Sequence, residues 1–213
     1  MVSSYTQLIA RRYEGKLDDT ADEFIHYAVD GTQRMQRMID DLLTLSRVGR
    51  HGKPFHPVPL DDLFDAIVAN FKRAGSAPEG NIIREDHLPT VMGDASQLLL
   101  LFQNLVSNGL KYSDPQNGRV RIFSADTPNS HRIFVEDNGI GIDPQYHETI
   151  FEIFKRLHGY GDYAGTGIGL AICKKIPDRH GGILSVTSNV GEGSTFCVEL
   201  PKELPIVATS ESM

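Results

Sequence analysis

The sequence predicts an α+β protein in which a helical hairpin precedes a domain of helices and short strands. Three observations carry this. A glycine-poor, proline-free segment from Asp19 to about Val48 has helical apolar spacing, and the stretch from Gly49 to Pro59, with Gly49, Gly52, Pro54, Pro57 and Pro59, interrupts it. Beyond that break, helices and strands are grouped in mixed order, unlike the strict alternation of a doubly wound parallel sheet.

In the hairpin, Phe24, Ala28, Gly31, Met35, Met38, Leu42 and Leu45 recur at steps of four and three and draw one apolar seam along a long helix. Gln33, Arg34, Gln36, Arg37 and Asp40 lie largely off it. Such a seam needs a partner. Val2 to Tyr13 is a shorter helix, Glu14 to Asp18 the turn, and Asp18 or Asp19 the cap of the long helix. Residues 1–50 therefore read as a partial hairpin that starts inside a helix, 51–205 as the main domain and 206–213 as a flexible tail.

Within the domain, Leu60 to Lys72 reads as a helix, Asn81 to Glu85 as a strand and Asp94 to Tyr112 as an apolar helix. Arg119 to Ser124 and His131 to Glu136 form a hairpin around Asp126, Pro128 and Asn129. Ile168 to Arg179 is a helix, and Ile183 to Ser188 and Ser194 to Leu200 are the last strands.

Composition narrows the function. The chain has 213 residues, 40% hydrophobic and 23% charged, as expected of one globular domain plus an appendage. The formal charge of -7 disfavours nucleic-acid binding, which relies on clustered Lys and Arg. No apolar run is long enough to cross a bilayer and no secretory signal pattern is present, so a cytoplasmic location is expected; a longer parent could still be membrane-bound. Cys173 and Cys197 lack C-x-x-C spacing and read as buried, reduced thiols.

Four signals occur in one order. Asn104, Asn108 and Lys111 share one face of an otherwise apolar helix, so two amides and an ammonium converge. D-N-G-I-G-I, Asp137 to Ile142, places a carboxylate at a strand end beside Gly139 and Gly141, where the backbone can approach a flat ligand. G-T-G-I-G-L (Gly165, Thr166, Gly167, Ile168, Gly169, Leu170) runs into a helix whose amides and dipole suit phosphate. The strand required before a dinucleotide-binding glycine loop is missing there. G-E-G-S-T-F, Gly191 to Phe196, offers Thr195 as a hydroxyl donor or, alternatively, is a plain hairpin turn.

This ordered set resembles the N, G1, F and G2 boxes of sensor histidine kinases, members of the superfamily shared with gyrase, heat-shock chaperone and mismatch-repair ATPases. F-E-I-F, Phe151 to Phe154, with Lys155 and Arg156 matches the F box between the two glycine segments. The resemblance covers roughly residues 54–201 and implies a Bergerat-type two-layer α/β sandwich, a mixed sheet with helices on one face. It implies ATP and Mg²⁺ as cofactors. Asp137 would hold the adenine amino group, Gly139, Gly141 and Ile142 would shape the purine pocket, and Tyr112 would pack on the base. Asn108 would ligate Mg²⁺. Asn104, Lys111 and Arg156 would contact phosphate and carry catalysis, with residues 155–164 as a lid. The helix opening at Gly165 would bind phosphate through its amides.

The hairpin resembles the family's dimerisation and phosphotransfer helices, implying a homodimer and a response-regulator receiver domain as partner. No acceptor motif is present. His26, followed by Tyr27 and Ala28, lies on the wrong helix, and the acceptor is expected before Met1. Gly109 stands where the family more often has alanine, a cost in helix propensity that should spare the site. Pro177 should kink or shorten its helix at about 3 kcal/mol. Asn104 occupies the position of the glutamate that activates water in the superfamily's hydrolases, so transfer is expected over hydrolysis. The alternatives are an anti-sigma-type serine kinase, which would not need the long helix, and a nucleotide-binding dimerisation module without kinase activity.

Overall fold

The computed structural model describes residues 1–50, 53–73, 75, 81–157 and 165–203. The expected tail and most of the expected lid lie outside this set. The hairpin pairs α1 (Val2–Tyr13) with α2 (Asp19–Arg50). Asp18 caps α2 by accepting the Ala21 N–H at 2.8 Å, while Asp22 accepts the Gly15 N–H at 2.8 Å and closes the turn. Ser3, Thr6 and Ala10 of α1 are half-buried, and the Thr6 and Thr32 hydroxyls meet at 3.1 Å. Small side chains at this spacing let the two helices approach closely.

The domain follows as β1 (His56–Pro59), α3 (Leu60–Arg73), β2 (Ile82–Arg84), β3 (Thr90–Gly93), α4 (Ala95–Lys111), β4 (Val120–Asp126), β5 (Ser130–Asp137), α5 (Gly169–Arg179), β6 (Ile183–Asn189) and β7 (Gly193–Pro201). Five strands form one sheet in the order β2-β4-β5-β7-β6, with β2 and β4 parallel and the other pairs antiparallel. β1 and β3 make a separate antiparallel ribbon. Alternation along the strands divides the residues between two faces. Ile122, Ile133, Val135 and Val198 are buried in the same core as Leu98, Leu101, Phe102 and Leu105 of α4, Ile172 and Ile176 of α5, and Phe64 of α3. On the other face the rings of Phe123 and Phe134 stack at 4.9 Å, beside Arg121, which bridges Glu85 and Glu136. The result is the expected two-layer arrangement with helices on one face.

Two features differ from the sequence reading. β3 was not anticipated, because four residues behind Pro89 carry too little pattern to stand out. The α2 seam is not one surface: Met38 and Leu45 pack on the domain core next to Val48, whereas Phe24 and Met35 are 65% and 56% exposed. The seam divides lengthwise: Met38 and Leu45, two turns apart, face the domain, whereas Met35 and Leu42, also two turns apart, stay exposed. Pro177 falls in the last turn of α5, where its missing N–H costs one bond near the helix end. Cys173 is buried and Cys197 half-buried; both are free, and burial raises both thiols above their ordinary pKa.

α2 is fastened to the domain where it ends. Asp94 caps α4 by accepting the Ser96 and Gln97 N–H groups, and it also accepts the Lys53 N–H at 2.8 Å. Burial alone would raise its pKa, but the Ser96 hydroxyl and these amides outweigh burial and lower it. Arg179 reaches Asp94, Gln97 and the Lys53 carbonyl, with its guanidinium 4.7 Å over the Phe55 ring. Phe55 in turn stacks on His180 at 4.4 Å. Nε2 of His180 accepts the Asp94 N–H at 3.0 Å, and Nδ1 faces the Ile176 carbonyl at 2.8 Å, which assigns a neutral ring protonated on Nδ1.

Burial lowers the His180 pKa from the ordinary 6.5. The unfolded chain therefore binds this proton first, and the stability present above that ordinary value is lost as pH falls toward the folded-state value. Urea unfolding at about pH 7.5 and about pH 5.5 should show a larger acid loss for the native chain than for His180→Asn. Equal losses would show that the ring is not held neutral.

Candidate functional site

One face of α4 forms the floor of a cavity of about 440 Å³. Asn104, Ser107, Asn108 and Lys111 project into it because they lie three or four residues apart on a helix whose other faces are buried. Asp137, at the end of β5, forms one end. Its Oδ1 accepts the Gly139 N–H at 2.9 Å and the Ser194 N–H at 3.2 Å. Burial raises the pKa of this carboxyl, against the lowering effect of those two amides, and neighbouring Glu136 adds to the rise. The Asp137 to Ile142 loop is held from both sides: Ile140 N–H donates to the Tyr112 carbonyl, and Ile142 N–H to the Ser188 hydroxyl. Gly141 has φ +71°, and a Cβ there would overlap the Asn189 carbonyl, so only glycine fits.

At the other end the glycine-rich segment meets α4. A Cβ on Gly165 would lie 3.1 Å from Lys111 Nζ, and one on Gly169 would lie 3.1 Å from Asn104 Oδ1. Asn104 donates to the Leu100 carbonyl, which turns its oxygen toward α5. Lys111 Nζ bonds the Tyr112 hydroxyl at 2.8 Å and sits 4.3 Å over that ring. Phe154, at φ 66°, donates its N–H to the Gly167 carbonyl, tying the F-E-I-F segment to the glycine segment. A hydrogen-bond acceptor at one end, and an ammonium with a helix N-terminus at the other, suit an elongated ligand with a polar base and anionic groups.

The family model described as histidine kinase-, DNA gyrase B-, and HSP90-like ATPase matches residues 93–204, more than half of the chain and nearly all of the cavity wall. The chain belongs to that ATPase family. The phytochrome-like protein Cph1 of Synechocystis is 42% identical over 200 residues, covering 94% of this chain and 27% of Cph1. The chain thus spans about a quarter of that relative's length. The solved mycobacterial sensor histidine kinase MprB is 30% identical with a TM-score of 0.59, over 71% of this chain and 99% of the other. The histidine kinase ThkA, solved in complex with the response regulator protein TrrA, shares the fold with a TM-score of 0.66 over 94% of this chain and 57% of ThkA, at 24% identity.

Of the residues expected in this ATPase-family site, the cavity brings together Asn104, Asn108, Lys111, Tyr112, Asp137, Gly141, Ile142, Lys155, Arg156, Gly165, Thr166, Gly167, Gly169 and Leu170. Gly139, Ile168 and Thr195 do not line it. Gly139 supports Asp137 from behind with its amide, and Ile168 is fully buried in the core. Strand alternation places Ser194 and Phe196 at the cavity and turns Thr195 to the opposite face. The β5–β7 register, which pairs Asp137 with Ser194, was the signal for this. The helix α5 begins at Gly169, not Gly165, because Gly167 has φ +75° and lies outside helical geometry. Gly109 matters more than its propensity cost suggested: a Cβ there would stand 2.7 Å from Val120 Cγ2 and 3.1 Å from Asp137 Cβ. Arg37 and Asp41 of α2 also line the cavity, which no domain motif could signal.

The raised pKa of Asp137 makes its charge a cost to the folded state. The protonated carboxyl favours folding below its ordinary value, and that advantage is lost as pH rises through the raised value. Asp137→Asn keeps the Oδ1 acceptor without the charge. Its melting temperature should exceed the native one by roughly 2–4 °C near neutral pH, with the gap closing toward about pH 4. A lower melting temperature at neutral pH would overturn this account of the carboxylate.

Proposed function

We propose that this chain binds ATP with Mg²⁺ in this cavity and transfers the γ-phosphoryl group to a histidine on another segment or chain, for relay to an aspartate of a response-regulator receiver domain. The observation that carries it is the pairing of a half-buried, amide-held carboxylate at one end with Lys111, Asn104 and the α5 N-terminus at the other. Oδ2 of Asp137 makes none of the carboxylate's backbone bonds described above and accepts the adenine amino group. Among the described residues no cluster of three His, Cys, Asp or Glu is set to hold a metal. Mg²⁺ at the Asn108 amide oxygen would accordingly take its other ligands from phosphate and water and would offset phosphate charge.

Chemistry then needs positioning more than activation. Lys111, Arg156 and the amides before α5 offset charge on the phosphoryl oxygens, and a neutral imidazole nitrogen attacks phosphorus as ADP leaves. Asn104 cannot deprotonate water, which favours transfer over hydrolysis. The exposed apolar side chains of Tyr5, Leu8, Phe24, Tyr27, Met35 and Leu42 support a homodimer through the hairpin. No helix of the described residues is long and apolar enough to cross a membrane, and we place the working site in the cytoplasm. The relay partner is supported by the ThkA complex.

The test mixes this chain with a protein carrying the family's histidine helix and γ-labelled ATP. An acid-labile, base-stable phosphohistidine should form, and Lys111→Ala should slow its formation by about 10²-fold. Acid-stable phosphoserine would support the serine-kinase class instead, and no labelled product would leave only a binding module.

A further inference from the structure

The cavity wall has a component that the ATPase domain does not supply. α2 contributes Arg37 and Asp41, one turn apart on the same face. Asp41 Oδ2 accepts the Thr166 hydroxyl at 2.5 Å, a short bond of the kind a charged acceptor makes. Thr166 belongs to the glycine-rich segment and its hydroxyl also faces the Ile168 N–H at 3.4 Å. Asp41 is held in place by its helix: Lys175 Nζ of α5 donates to the Leu45 carbonyl at 3.1 Å, and Gln97 Nε2 of α4 to the Val48 carbonyl at 3.3 Å.

The Asp137 end and the glycine-rich segment meet α4 at different residues. Gly109 abuts Asp137, whereas Asn104 abuts Gly169 and Lys111 reaches Gly165. A nucleotide with its base on Asp137 therefore extends its phosphates toward the segment that Asp41 engages. Lys111 and Arg37 attract every phosphate in the cavity. A carboxylate bonded to Thr166 repels most strongly the phosphate that extends farthest, because Coulomb repulsion grows as the separation falls.

We infer that Asp41 is a specificity-determining residue of the nucleotide site, weakening the binding of a triphosphate relative to a diphosphate while α2 stays docked on α5. This rests on the reading of the cavity as an ATP site. The docked arrangement then retains ADP, and a bound triphosphate favours breaking the Asp41–Thr166 bond. Nucleotide state is thereby linked to whether the domain remains seated on α2.

Calorimetric titration of the full chain with Mg-ATP, Mg-ADP and adenosine, in native and Asp41→Asn forms, tests it. Asparagine can still accept the Thr166 hydroxyl, so the substitution removes charge and spares the bond; circular dichroism verifies the fold. The substitution should tighten ATP by roughly fivefold to tenfold and ADP by less than about twofold, with adenosine unchanged and the difference shrinking in added salt. An unchanged ATP to ADP ratio in protein that binds both would overturn the role of Asp41 and leave the ATP reading intact. Failure of the native chain to bind either nucleotide would overturn both.

Discussion

A carboxylate fixed by two backbone amides organises this molecule. Asp137 can offer one oxygen to the cavity only because the Gly139 and Ser194 N–H groups hold the other, and those amides come from the loop after β5 and from β7. The Ser194 amide is available through the β5–β7 register, and the Gly139 amide through a loop clamped between α4 and the turn after β6. Gly109 lets α4 approach the strand end, and Gly141 lets the loop pass the Asn189 carbonyl. Burial then makes this charge costly to the folded state, a local loss of stability that buried functional groups commonly impose.

The second organising contact joins α2 to the domain. Asp94, Arg179, Phe55 and His180 bind the chain after α2 to the ends of α4 and α5, so the helix cannot shift without disturbing caps on both. Through this junction Asp41 reaches the glycine-rich segment. The contact of α2 with the domain thus combines apolar packing by Met38, Leu45 and Val48 with a few polar bonds.

The elements with strong periodicity were legible in the sequence: both hairpin helices, α3, α4, α5 and all five strands of the main sheet follow from spacing, caps and turn residues. The Asn104, Asn108 and Lys111 face and the Asp137 strand end were legible for the same reason, since helix and strand periods fix where those side chains point. What escaped depends on tertiary register. β3 is too short to carry a pattern, and the choice of Ser194 over Thr195 turns on a one-residue alternation that shifts with the strand start. Arg37 reads as a helix position off the apolar seam, and Asp41 carries no signal of its own, until α2 is laid against α5. Gly109 resembled a propensity defect because its neighbours, Val120 and Asp137, are distant in sequence.

If the Asp137 carboxylate reads a purine by accepting from its amino group, the pocket must reject a purine that presents a carbonyl there. Calorimetry of the native chain with Mg-ATP and Mg-GTP tests this most directly. ATP should bind, and GTP should bind at least about 10²-fold more weakly, because its O6 would face the carboxylate. Equal affinity for the two nucleotides would contradict the claim.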